Sequence, residues 1–350
     1  MQFGNTIHGG KTIPLRAELS PTLIIKSLDT FHRLFLETET PKAYFGDTTR
    51  LRPYLKSALL FDGSPIPFNP ITGDSHRVLE ACKAIWDYGK PTVQIDKDLL
   101  TAILALKESG GTLFQLPYLF TSNVYRKNMS SKLKDPVLRQ YWKYFDELPE
   151  KDQNAISMPI LNRLIPLISD KHIRRIISQK KTFEFPKVLL VDLPRSPRHD
   201  LLSALIMAQC EGPVFIEHPL VHLGNNIPIV HADYLSQLPD DLNDKMLNTA
   251  IIMTTRTGVV DAKILEPHFN LVQDDYRITA LPDGRAYVRL EKTHEVFTYP
   301  HDFKRRKSPV RNKRHTPVQV LDDRVERFIS GLWGTSKTVS KKKSFRSYRM

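Results

Sequence analysis

The 350-residue sequence holds only two cysteines, Cys82 and Cys210. Two are too few for a disulfide framework or a thiolate metal site, and both read as ordinary buried residues. No apolar run approaches the ~20 residues of a membrane-spanning helix. The opening MQFGNTIHGG lacks the basic-then-apolar layout of a secretory signal. Twelve histidines are scattered, with no pair at ligand spacing on a clear helix. These absences lead us to expect a soluble, cytoplasmic chain without a metal. Its 41% hydrophobic content is enough to fill a core.

Charge is scarce in one part and concentrated in another. Of the net +13, residues 301–350 contribute 15 Lys and Arg against 4 Asp and Glu, a surplus of +11 that leaves +2 for the first 300. A nearly neutral body with a cationic tail points to an acidic partner, most simply nucleic acid, with DNA the expected one. The candidate contacts are Lys304, Arg305, Arg306 and Lys307 in FKRRK, then Arg311, Lys313 and Arg314 in RNKR. SKKKSFRSYR adds Lys341, Lys342, Lys343, Arg346 and Arg349, with Phe345 and Tyr348 placed to stack on single strands. A merely solubilising end, or one that docks on acidic protein, is the competing reading.

The first 70 residues alternate short apolar runs with helical patterns. KTIPL, LIIK, AYF and SALLF read as strands, DTFHRLFLE as a helix, and DTTRLRPYL as the opening of a capped helix. DGSPIPFNP is a loop. Residues 74–180 show helical periodicity in five or six stretches, several opening on Asp or Ser as N-caps. Their aromatics Trp86, Tyr141, Trp142, Tyr144 and Phe145 are assigned to the core rather than to base stacking. From KVLLVDL at 187 the strand–helix alternation returns, through PVFIEH, IPIVH and TAIIMTT to a closing hairpin of GRAYVRLEK and HEVFTY. The expectation is an α/β fold, a central mostly parallel sheet flanked by helices. Its core is split into 1–73 and 181–300 by an all-helical insertion at 74–180. A basic tail at 301–350 carries a short apolar-faced helix at 319–332.

One further absence carries most of the functional argument. TLIIKSLDTFHRLF (22–35) runs directly from a buried strand into a helix, and a nucleotide enzyme would hold glycines and a Lys-Ser/Thr pair between them. Other stretches show what this place corresponds to: GSPIPFNPI (63–71), DLLTAILALKESGGTLFQLPYLFTSNVYRKNM (98–129), FEFPKVLLVDLPR (183–195), DYLSQLPDDLNDKMLNTAIIMTTRTGVVDAKIL (233–265) and GRAYVRL (284–290). In this order they resemble the motor domain of the HerA–FtsK superfamily, in the branch of conjugative coupling proteins and type IV secretion DNA-transfer ATPases. The resemblance covers roughly residues 3–300. It implies a P-loop NTPase-like fold and, in active members, ATP and Mg²⁺.

Set against the family phrase IIGxTGxGKSTLLxN, the segment departs at every functional position. Lys26 and Phe31 replace glycines of the G-x-x-x-x-G-K-S frame, and Asp29 replaces the glycine between them. His32 replaces the lysine and Arg33 the hydroxyl residue; Ser27 and Thr30 are the remaining loop positions. Side chains fill space that phosphates need, and Asp29 repels them, though Lys26, His32 and Arg33 retain a loose pull on an anion. The acidic strand end that holds Mg²⁺ and polarises water is represented by Glu217 and His218, the polar sensor by Asp233, and a ring arginine by Arg256. The resemblance therefore implies a pseudo-ATPase without cofactor, paired with DNA and with copies of itself or an active paralogue.

Two alternative catalytic sites remain open. GGKT, with Gly10, Lys11 and Thr12, is an atypical P-loop candidate that would make the chain an active motor. It lacks a strand before it, and IPLRAELSPT is a poor helix after it. A hydrolytic metal site from Asp192, Glu217, His218 and His231 at strand ends is the other, although no spacing demands it. A structural component of a mobile element is the reading from a different functional class.

Overall fold

The computed structural model describes residues 21–298 apart from 56, 65, 87–92, 195, 218–227, 250, 270, 272–276, 284 and 291–292, together with Gln2–Phe3 and Ile13–Pro14. The expected contacts of the tail, its short helix, His218 and the GGKT residues lie outside this set.

Strands β1 (Gln2–Phe3) and β2 (Ile13–Pro14) pair antiparallel in a small sheet. The main sheet is built from β3 (Thr22–Ile25), β4 (Lys42–Phe45), β5 (Leu59–Phe61), β6 (Val188–Val191), β7 (Val214–Ile216), β8 (Pro228–Ala232), β9 (Ile251–Thr254), β10 (Arg285–Leu290) and β11 (Thr293–Thr298). Its order is β11-β10-β9-β3-β8-β7-β4-β6-β5. The seven strands from β9 to β5 run parallel, and the β10–β11 hairpin closes one edge antiparallel. Strands from late in the chain slot between early ones: β7 and β8 lie between β3 and β4, and β6 lies between β4 and β5. Residues before and after the helical segment thus complete one sheet.

The parallel strands are mostly apolar because both faces are covered. Leu23, Ile24 and Ile25 are fully buried, as are Tyr44, Phe215 and Val230. Helix α1 (Leu28–Glu37) follows β3 and lays Phe31, Leu34 and Phe35 on one face, against Tyr44 of β4 and Phe215 of β7. This face is closely packed aromatic core rather than open cleft.

Among the described residues seven α-helices come between β5 and β6: α2 (Ser75–Trp86), α3 (Val93–Glu108), α4 (Leu116–Thr121), α5 (Asn123–Ser130), α6 (Pro136–Glu147), α7 (Glu150–Ser169) and α8 (Lys171–Ile177). LPYLFTSNVYRKNM (116–129), which by periodicity reads as one of the helical stretches, is two helices. Ser122 is extended and turns its hydroxyl onto the Tyr125 N–H, capping α5 instead of continuing α4. Asp135 caps α6 and Asp170 caps α8, as their positions imply. Trp142 and Phe145 are fully buried, but Tyr144 is exposed, on the opposite side of α6 from both. The remaining helices are α9 (Pro197–Met207), α10 (Asp240–Leu247) and α11 (Val259–Leu265).

The helix expected to open at DTTRLRPYL is a turn followed by one short 3₁₀ stretch, Arg52–Tyr54. Thr48, its would-be cap, instead donates its hydroxyl to Asp192 beyond β6, and Pro53 falls within the first turn.

Candidate functional site

The carboxyl ends of parallel strands are where open α/β sheets bind ligands. Here the ends of β9, β3, β8, β7, β4 and β6 present, in that spatial order, Thr255–Arg256, Lys26–Ser27, Asp233–Tyr234, Glu217, Gly46–Asp47 and Asp192.

At the end of β3 only Lys26 and Ser27 separate strand from helix. Positions 28–33 of the P-loop frame are wound into α1. The Phe31 N–H is bonded to the Ser27 carbonyl at 3.0 Å, an intrahelical bond, so it is not turned toward a ligand. Lys26 takes a left-handed conformation, φ 64°, the only described non-glycine residue to do so. That is the conformation for which glycine is suited, and Lys26 occupies the frame's first glycine position. Its amide is held by the Ala232 carbonyl at 3.0 Å and its carbonyl by the Thr255 hydroxyl at 3.3 Å, which ties the turn to both neighbouring strands.

Phe31 stands where the frame's second glycine would be, and it fills the space completely. Its ring is fully buried, with centroids 5.5–5.7 Å from those of His231, Phe215 and Tyr44. The next residue, His32, is also buried and points inward. Its Nε2 lies 2.8 Å from the Tyr44 hydroxyl, which lies 2.7 Å from Glu217 Oε2. A phenol has one proton. With Tyr44 donating to the Glu217 carboxylate, His32 must donate from Nε2, which the network assigns as the neutral Nε2–H tautomer. Burial first, then the charge of Arg50 and the proximity of His231, push His32 from 6.5 down to about 4, against the pull of Asp47. Tyr44 is driven upward by burial and by the Glu217 charge.

Glu217 Oε2 also accepts the Asp47 backbone N–H at 2.7 Å. Gly46 makes this approach possible: it has φ 152°, and a Cβ there would fall 2.5 Å from both Glu217 Cβ and Oε2. A hydrogen-bonded chain, His32–Tyr44–Glu217–Asp47 N–H, therefore links the two positions that the sequence resemblance sets against a phosphate-binding lysine and a metal-binding acid. Tyr44, Gly46 and Asp47 were not candidates from sequence. A tyrosine in the middle of a buried strand was the signal for Tyr44, since its hydroxyl needs a partner.

The other candidates do not converge on this chain. Lys26 lies over the Tyr234 ring, Nζ 3.5 Å from its centroid. Asp29 pairs with Arg50 at 3.4 Å, and Arg33 with Glu37 at 2.7 Å on the outer surface of α1. Ser27, just before the helix, donates to Thr30 in its first turn at 2.7 Å. The three residues expected to draw an anion together, Lys26, His32 and Arg33, thus point to three different partners. Asp233 holds Gln237 through its own N–H. Arg256 is exposed and paired with Asp283 at 3.1 Å.

Of the hydrolytic set, Asp192 is engaged with Thr48 and Arg52, Glu217 with Tyr44 and Asp47, and His231 is packed on Phe31. Among the described residues no group of three or more His, Cys, Asp or Glu is placed to hold a metal ion. Cys82 and Cys210 are both buried and free, with thiols pushed up to about 12 by burial. Beside the GGKT segment, Ile13–Pro14 is strand where a P-loop would begin its helix.

The parallel sheet, the strand-to-helix turn at β3 and the acidic residue at the end of β7 define a P-loop NTPase-like fold. Two solved structures share it over nearly their whole length. The bacterial conjugative coupling protein TrwBΔN70 aligns with a TM-score of 0.56 at 12% identity, covering 88% of this chain and 92% of that one. VirB4 of Thermoanaerobacter pseudethanolicus aligns at 0.54 and 9% identity, covering 86% and 96%. No family model and no curated protein matches the sequence. The fold is the one that the order of sequence segments implied. No helix among the described residues is long and apolar enough to cross a membrane.

Proposed function

We propose that this chain is a non-hydrolysing relative of the DNA-translocating ATPases of conjugation and type IV secretion, a cytoplasmic protein that binds DNA or a nucleoprotein partner. The observation that carries the reading is the buried Phe31–His32 pair inside α1. A P-loop binds by curling successive N–H groups around phosphates ahead of its helix. Here the helix begins before that curl can form, Phe31 fills the hollow, and the residue in the lysine position is neutral and bonded to Tyr44.

The acidic side is equally occupied. Glu217 Oε2 already accepts from Tyr44 and Asp47, so a metal bound at that oxygen would compete with both. The basic tail supplies the phosphate contacts in this reading, and assembly with an active paralogue is the arrangement in which a silent subunit keeps a role. The likeness to a conjugative coupling protein supports the setting. The test is phosphate release by the purified full-length chain with ATP, Mg²⁺ and duplex DNA. The expected rate is the protein-free background with and without DNA; DNA-stimulated release would overturn the reading.

A further inference from the structure

We infer that the outer face of α5 and α6 is a second contact surface for a nucleic-acid phosphate backbone, separate from the tail. The inference rests on the proposed role in DNA binding and adds a place to it. Both helices pack on α3 and turn their large residues inward: Met129 from α5, and Leu138, Trp142 and Phe145 from α6. Arg126 is buried between them, bonded to Asp146 and to the Leu119 and Phe120 carbonyls. With that side fixed, the opposite face of each helix is exposed to solvent, and the Ser131–Asp135 turn joins the two.

That exposed side is strongly cationic. Lys127 lies on α5, Lys132 and Lys134 in the turn, and Arg139 and Lys143 one helical turn apart on α6, all exposed. Over residues 122–145 the sequence contains a single acid, Asp135, and it is spent as the N-cap of α6. Glu108, at the foot of the turn, accepts the backbone N–H groups of Lys134 and Asp135. Among the described residues no carboxylate pairs with Lys127, Lys132, Lys134 or Arg139, and Lys143 reaches Glu147 only at 4.0 Å with both side chains mostly exposed. These cations carry solvent and counterions, which a polyanion releases on binding.

The neighbouring residue types choose between a nucleic acid and an acidic protein. Asn128, Ser131, Gln140 and Tyr144 lie exposed among the cations. Lys and Arg interspersed with small polar side chains and tyrosine is the composition that contacts phosphate and sugar. Protein–protein interface cores are depleted in lysine. The two exposed valines, Val124 and Val137, are isolated rather than part of an apolar patch.

The experiment measures binding of the full-length chain to a labelled random-sequence duplex DNA across a salt series. It compares wild type with Lys127→Ala/Lys132→Ala/Arg139→Ala/Lys143→Ala, with a tail variant Lys341→Ala/Lys342→Ala/Lys343→Ala, and with polyglutamate as competitor. All four surface residues are exposed, and thermal melting confirms that the variant is folded. Each lost phosphate contact lowers the log K versus log salt slope by about 0.9, so the surface variant is expected to flatten it by about 3 and to bind at least about ten-fold more weakly at moderate salt. Arginine at the same four positions restores binding. Wild-type affinity and slope in the surface variant overturn the inference while leaving the tail's role standing. Loss of polyglutamate binding alone assigns the surface to acidic protein and also overturns it. A wild-type chain that binds no duplex at all sinks both this surface and the proposed DNA-binding role.

Discussion

His32 shows how far a side chain can be moved from the role its position suggests. In the P-loop frame it stands in place of a cation that neutralises phosphate. In the fold it is buried, uncharged and bonded to Tyr44. Its folded value, about 4, lies below the 6.5 of the exposed group. Protons therefore bind the unfolded chain first as pH falls. The stability that comes from keeping His32 neutral is complete above 6.5, declines as pH falls toward 4, and changes no further below that. Between pH 7 and pH 5 the difference amounts to about 2 kcal/mol. Melting temperatures at the two pH values should show this loss in wild type, and His32→Gln should lack that component. An identical pH response in both would remove the neutral buried histidine from the account. The sequence gives His32 as a candidate but cannot give its partner, because Tyr44 and Glu217 come from strands 12 and 185 residues away that only the sheet order brings together.

At the scale of elements, the decisive feature is the junction between β3 and α1. Apolar spacing at Phe31, Leu34 and Phe35 predicts the helix, and the buried run Leu23–Ile25 predicts the strand; both form there. The absence of glycines between them was legible for the same reason. The conformation of Lys26 was not: left-handed backbone at a lysine follows from bonds to β8 and β9, which local sequence does not contain. The missed elements have one distant and one local cause. Thr48 gave its hydroxyl to Asp192, and Ser122 capped a new helix where periodicity ran on. The junction also gives a sharp mutational expectation. Phe31→Gly restores the residue type of a P-loop, yet it empties a fully buried ring site and places glycine inside a helix. Loss of the ring costs about 3–5 kcal/mol and the helical glycine about 1 more. A lowered melting temperature, with no ATP binding gained, is the expected outcome. An unchanged melting temperature would mean that Phe31 does not hold α1 on the sheet.

At the scale of the whole molecule, the sheet joins residues on both sides of the helical segment, and its likeness to a coupling protein and to VirB4 extends over most of the chain. The collinear order of motifs made that architecture legible, because each short phrase marks a strand end or a helix start. Surface charge on α5 and α6 was not legible, since periodicity assigned Tyr144 to the core and only the packing of Trp142 and Phe145 shows it facing out. What unites the levels, on the proposed reading, is a scaffold whose ligand hollow is filled by its own side chains. Titration of ATP with Mg²⁺ into the full-length chain, with and without duplex DNA, tests this most directly. We expect no saturable heat up to millimolar nucleotide in either case. Saturable binding with a Kd below about 1 mM, a free energy beyond about −4 kcal/mol, would contradict the account.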